Sequence, residues 1–210
     1  MAPLTRGAAV SLWGLIALCS AIEFALVLSD QGVLGQARLR RLAYDYAGFW
    51  PGLLGSWQPN YPWQPWAMFL TYGFVHAGPA HLAVNMVTLW SLGRAVLERV
   101  GVRGFAALYL VTVFGGAASF ALLAPGLRPM VGASGALFGL IGGLLAWAYV
   151  DRFTYDEGLW PVARAVLFLV ALNLVLWWAM RGQLAWETHL GGFVTGWVAA
   201  LLIDPRAREA

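Results

Sequence analysis

Apolar residues fall in long runs broken by short polar stretches, with no alternation of period two. Six runs stand out, at 8–28, 80–97, 104–123, 132–150, 162–180 and 188–203. About 20 apolar residues in a helix cross a hydrocarbon core of ~30 Å, and these runs meet or approach that length. A segment in lipid must satisfy its backbone hydrogen bonds internally. Each run therefore predicts a helix, and the missing alternation argues against a barrel. The expected fold is an all-α membrane protein, a bundle of six transmembrane helices with a large, partly membrane-embedded first loop. One domain is expected over 1–210, and no tandem repeat or low-complexity tract is visible.

Composition strengthens this picture. Charged residues make up 11% of the chain and hydrophobic ones 60%, whereas soluble domains carry roughly 25% charged residues. Too little polar surface exists to cover a core in water. The thirteen basic residues are all arginine, scattered between apolar runs, so no nucleic-acid footprint is expected. Cys19 sits inside an apolar run as the single cysteine, a packing residue with no disulfide partner. The run at 8–28 exceeds the ~7–15 apolar residues of a cleaved signal, so it is expected to stay as the first helix.

Orientation follows from the arginines. With the N-terminus inside, Arg6, Arg94, Arg99, Arg103, Arg152, Arg164, Arg206 and Arg208 lie on the cytoplasmic side. The short outer connections hold Arg128 and Arg181. The exception is the first loop, 29–79, which would carry Arg38, Arg40 and Arg41 outside; long loops obey the rule weakly. This loop also holds Tyr44, Tyr46, Phe49, Trp50, Trp57, Tyr61, Trp63 and Trp66. Amphipathic rings favour the headgroup level, so the loop reads as a compact unit half-sunk in the outer leaflet, first of all as an anchor. Both termini are expected inside a bacterial inner or plasma membrane.

Polar residues inside the bilayer are costly and need a reason. Only three histidines occur, His76, His81 and His189. His76 and His81 flank the start of the second helix, with Pro79 suited to its first turn. His81 and Asn85 are one turn apart on one face. Ser134 opens the fourth helix in Gly132-Ala133-Ser134-Gly135, where unpaired N–H groups and the positive dipole end point at its hydroxyl. Taken singly, such a serine is more often a helix cap, and such a histidine is more often satisfied by a carbonyl. Glycines at 135, 139 and 143 and at 192 and 196 form stripes suited to close helix packing. If the stripes face one another, Ser134 and His189 come to similar depth, within nucleophile–base reach. Three histidines without cysteine partners make a poor zinc set, so no metal or other cofactor is expected.

The ordered set His76…His81-x-x-x-Asn85, Gly132-Ala133-Ser134-Gly135 and His189-x-x-Gly192-x-x-x-Gly196 resembles the rhomboid intramembrane serine proteases, over about 66–204. The resemblance implies that Ser134 is the nucleophile and His189 its general base, acting without a carboxylate. It implies that His81 and Asn85, with the Ser134 backbone N–H, stabilise the oxyanion. Gly132 matches the residue that lets the backbone approach the site. Phe138 matches an aromatic position that packs against the catalytic imidazole, where family members often have Tyr. His76 matches a structural histidine that helps tie down the first loop. Two departures stand out. The family's Trp-Arg pair in the first loop is absent, since Trp66 is followed by Ala67, so that loop is braced differently. Glu23 has no family counterpart, and the plainer explanation is a neutral acid hydrogen-bonded to a neighbouring helix.

The activity implied is endopeptidase cleavage of transmembrane protein substrates, with the lipid bilayer as the other partner. Trp177 and Trp178 on the fifth helix are a candidate gate. Two rivals differ in class. An inactive rhomboid-like escort for membrane clients would usually lack the Ser or His, and this chain keeps both. A proton-relay transporter would be expected to show inverted halves with broken helices, and no such symmetry is visible.

Overall fold

The computed structural model describes residues 4–35, 38–124 and 128–203. Asp204, Arg206 and Arg208 lie outside the described residues. Helices dominate, and the β-structure among the described residues is one isolated bridge, Phe49 with Met130.

Helix α1 spans Arg6–Asp30. The Thr5 hydroxyl caps it by accepting from the Ala8 N–H at 3.3 Å, satisfying one of the orphan donors of the first turn. Its buried residues Leu12, Cys19, Glu23 and Leu26 recur at helical spacing and form one stripe. That stripe lies against α4, where a Cβ on Gly93 would come 2.8 Å from Leu12 Cδ1.

The first loop carries two short helices, α2 (Leu39–Ala47) and α3 (Gln64–Thr71), and two 3₁₀ turns, Pro51–Leu54 and Tyr72–Phe74. It is compact because its polar groups close on one another. Gln64 Nε2 donates to the Asp45 carbonyl at 2.6 Å, and Gln64 Oε1 accepts from the Asn60 N–H at 2.7 Å. The Trp50 indole donates to the Tyr44 carbonyl at 2.8 Å. Phe49 is fully buried, edge-on to Phe69, Tyr72 and Phe120. Its N–H and carbonyl each bond Met130 at 2.9 Å, which fastens the loop to the connection after α4. Trp57, Trp63 and Trp66 remain exposed.

Arg40 supplies the brace. Its guanidinium meets both Glu23 oxygens at 2.8 and 3.1 Å, Asp30 Oδ2 at 2.7 Å and the His76 carbonyl at 3.0 Å. Glu23 thus bonds a neighbouring helix, as expected, but as one side of an ion pair with Arg40 of α2, which corrects the expectation of a neutral acid. The hydrogen bonds to Glu23 raise the Arg40 pKa above its ordinary value, so the cation is secure. One apparent breach of the charge rule is locally neutralised as well.

Helix α4 runs Pro79–Leu123 with a single non-helical residue, Gly101, at φ 62° and ψ −167°. The sequence runs 80–97 and 104–123 are therefore its two limbs. A straight helix would set residues 93 and 105 about 18 Å apart. Instead a Cβ on Gly93 would lie 3.4 Å from the Phe105 ring, so the limbs fold back on each other. Glycine is needed there because a positive φ strains any residue with a Cβ.

Helices α5 (Ser134–Thr154), α6 (Trp160–Ala179) and α7 (Trp186–Leu202) complete the chain. Helices α5 and α7 touch backbone to backbone. A Cβ on Gly192 would strike the Gly135 carbonyl, and one on Gly196 the Gly139 carbonyl. Small residues permit such closeness where lipid offers no hydrophobic drive to pack helices. Helix α6 is peripheral and buries only Val162. Four helices, α1, α4, α5 and α6, are long and apolar enough to cross a membrane. Helix α7, at 17 residues, is shorter.

Candidate active site

The site begins where the chain enters α5. Gly132 has φ +122°, and its N–H donates to the Tyr72 carbonyl at 2.9 Å. A Cβ there would come 2.7 Å from His81 Cε1 and 3.0 Å from His81 Nε2. Conformation and space both demand glycine, and the missing side chain lets the His81 ring lie against the turn into α5.

Ser134 is the first residue of α5, and His189 lies in the first turn of α7, buried with 6% of its surface exposed. Ser134 Oγ and His189 Nε2 are 2.8 Å apart. The apposed glycines explain how residues so distant in the chain meet. Gly135 and Gly192 bring the two helix starts together, and a Cβ on Gly135 would crowd Thr188 Oγ1 at 2.7 Å. Phe138, one turn below Ser134, stacks on the His189 ring at a centroid distance of 4.2 Å and an interplanar angle of 9°.

His81 Nδ1 is 3.2 Å from the Ala77 N–H, which can only donate. A neutral His81 therefore carries its proton on Nε2, the nitrogen beside Gly132, as a donor toward the α5 start. Asn85 is buried, and its Nδ2 donates to the His81 carbonyl at 2.8 Å. One amide hydrogen remains, and Oδ1 has no partner among the described residues. His76 is fully buried with its ring edge-on to His81 at 5.3 Å. Burial pushes its imidazole down to about 4, with neighbouring His81 adding to the effect. It thus stays neutral at ordinary pH. Its tie to the first loop runs through its carbonyl, which accepts from Arg40.

Two participants escaped the sequence reading. Arg40 is one, and Asn173 on α6 is the other. Asn173 Oδ1 lies 2.7 Å from His189 Nδ1. The available signal was polarity, since Asn173 is a lone amide in the run Leu172 to Leu176, and such a residue in lipid wants a partner. Beside it, Phe138, Trp177, Trp186, His189 and Phe193 help line an apolar cavity of about 540 Å³ between α6 and α7. No group of three or more His, Cys, Asp or Glu side chains gathers among the described residues.

This arrangement offers a hydroxyl hydrogen-bonded to an imidazole, next to N–H donors at a helix start. A family model described as Rhomboid domain matches residues 62–206. RHOMBOID-like protein 4 of Arabidopsis thaliana is 36% identical over 140 residues, 65% of this chain and 34% of that protein. Rhomboid protease GluP of Bacillus subtilis (strain 168) is 33% identical over 143 residues, 68% of this chain and 27% of that one. RHOMBOID-like protein 6, mitochondrial, of Arabidopsis thaliana is 32% identical over 155 residues, 71% and 47% respectively. The chain thus spans less than half the length of these relatives.

Proposed function

The chain belongs to the rhomboid family, and on that footing we propose that it is a serine endopeptidase cutting transmembrane proteins within or beside the bilayer. The observation that carries this reading is the 2.8 Å hydrogen bond between Ser134 Oγ and His189 Nε2. A serine hydroxyl is a weak nucleophile until a neighbouring neutral base takes its proton.

In this reading Ser134 Oγ adds to the scissile carbonyl carbon as its proton passes to His189 Nε2. The carbonyl oxygen becomes an oxyanion, held by N–H donors from His81, Asn85 and the Ser134 backbone. Such donors count most where water is scarce. Collapse breaks the C–N bond, and the proton on Nε2 moves to the departing amine. A water, deprotonated by the same histidine, then hydrolyses the acyl-serine and frees Ser134. Stacking on Phe138 holds the ring plane throughout.

The membrane arrangement belongs to the same proposal. Helix α1, the two limbs of α4, and α5, α6 and α7 make six crossings of a bacterial inner or plasma membrane. Both termini are cytoplasmic, and the site opens to the outer side. Helix α7 starts below the surface, beneath a cavity that admits water. Substrates unwind to be cut, so small or helix-breaking residues near the scissile bond are favoured, and the α6 end with Trp177 and Trp178 is the access route.

The decisive experiment is labelling of the detergent-purified protein with a fluorophosphonate, alongside cleavage of a transmembrane reporter. Labelling and cleavage that both vanish in Ser134→Ala support the reading. A well-folded protein that neither labels nor cleaves favours an escort that binds membrane clients without cutting them.

A further inference from the structure

His189 is held from both sides. Its Nε2 faces Ser134 Oγ at 2.8 Å, and its Nδ1 faces Asn173 Oδ1 at 2.7 Å. The Asn173 amide is itself oriented, because Nδ2 donates to the Leu169 carbonyl one turn back at 2.9 Å. That leaves the amide oxygen, an acceptor, toward the imidazole. A neutral imidazole carries one N–H. Donated to Asn173, that hydrogen sits on Nδ1, and Nε2 presents a lone pair to the Ser134 hydroxyl. In the other tautomer the amide oxygen would face a bare nitrogen, and Nε2–H would point at the atom whose proton it must accept. An unmet pair is costly here, since the imidazole is buried and the amide half-buried.

We infer that Asn173 is a positioning residue for the proposed Ser134–His189 dyad, selecting the imidazole tautomer that can accept the serine proton and holding the Nδ1–H once the ring is charged. The inference rests on the protease reading. It also makes the base depend on a helix that is otherwise barely attached. Helix α6 buries only Val162, and the cavity separates much of it from α7.

A structural explanation competes, in which the amide simply satisfies itself inside the membrane. The two differ in what a substitution moves. Asn173→Leu keeps the volume and removes the acceptor, and Asn173→Asp keeps an acceptor. We expect Asn173→Leu to lower kcat and the rate of fluorophosphonate labelling at Ser134 by about 10- to 100-fold, the scale on which a neutral partner that orients a histidine acts. KM and the thermal midpoint in detergent should hardly change. Asn173→Asp should label within about threefold of wild type, as a retained acceptor predicts. The ¹⁵N shifts of the His189 ring in the wild-type protein add a test that needs no variant, and they should show the proton on Nδ1. A proton on Nε2 overturns the inference, as does wild-type labelling by a folded Asn173→Leu, or a loss confined to KM. Wild-type protein that does not label at all brings down the protease reading and this inference with it. Labelling by wild type and Asn173→Leu at equal rates brings down this inference alone.

Discussion

Gly132 shows how tightly single residues are constrained around Ser134. Replacement by Ala would both strain a positive φ and push the His81 ring from its place. Gly132→Ala is expected to cost about 10²-fold in kcat, the usual effect of displacing one oxyanion donor. Ser134→Ala and His189→Ala should each abolish reporter cleavage; Ser134→Ala removes one hydroxyl and should leave the detergent thermal midpoint within about 2 °C, whereas His189→Ala also loses the Phe138 stack and should lower it further. Robust turnover by either variant would reject the dyad. Asn85→Ala should keep partial activity because other donors remain, and full wild-type turnover would remove it from the oxyanion set. These positions were legible because each sits in a short motif at helical spacing. Asn173 and Arg40 were not. Each lies outside those motifs and finds its partner on another helix, Asn173 in His189 and Arg40 in Glu23. Periodicity tells which face of a helix is apolar, not which distant side chain lies opposite.

At the scale of elements, the glycine stripes decide where the site can form. Helices α5 and α7 meet with carbonyls against Cα atoms at Gly135–Gly192 and Gly139–Gly196. A larger side chain has only backbone to displace, so it must separate the helices. Gly192→Val should lower stability by about 3 kcal/mol or more, at the upper end for overpacking, and should abolish labelling of Ser134. Normal labelling would mean that the helix spacing does not set the Ser134–His189 distance. The sequence runs located every long helix, because apolar length is a strong signal. They could not show that the second and third runs are joined through one non-helical residue, Gly101, and fold back on each other, since a run of polar residues and a tight reversal look alike in hydropathy. Nor could they show how lightly α6 packs, because a helix facing lipid is as apolar as one facing protein.

For the whole molecule, the first loop matters as a wall of the bundle rather than an appendage. Arg40 joins α1, α2 and the approach to α4, while Phe49 and Met130 join that loop to the approach to α5. Arg40→Met should leave Glu23 buried without its partner and cost about 2–3 kcal/mol, somewhat less than a fully buried pair because Arg40 is partly exposed. The double change Glu23→Gln with Arg40→Met should recover much of that loss. A thermal midpoint unchanged in Arg40→Met would show that the brace is dispensable. A different consequence follows from the reversal at Gly101. With one residue joining its limbs, residues 79–123 hold no spare chain to let out under tension. Pulled by its ends in a force experiment, this hairpin should yield in one rip, both arms leaving the bundle together.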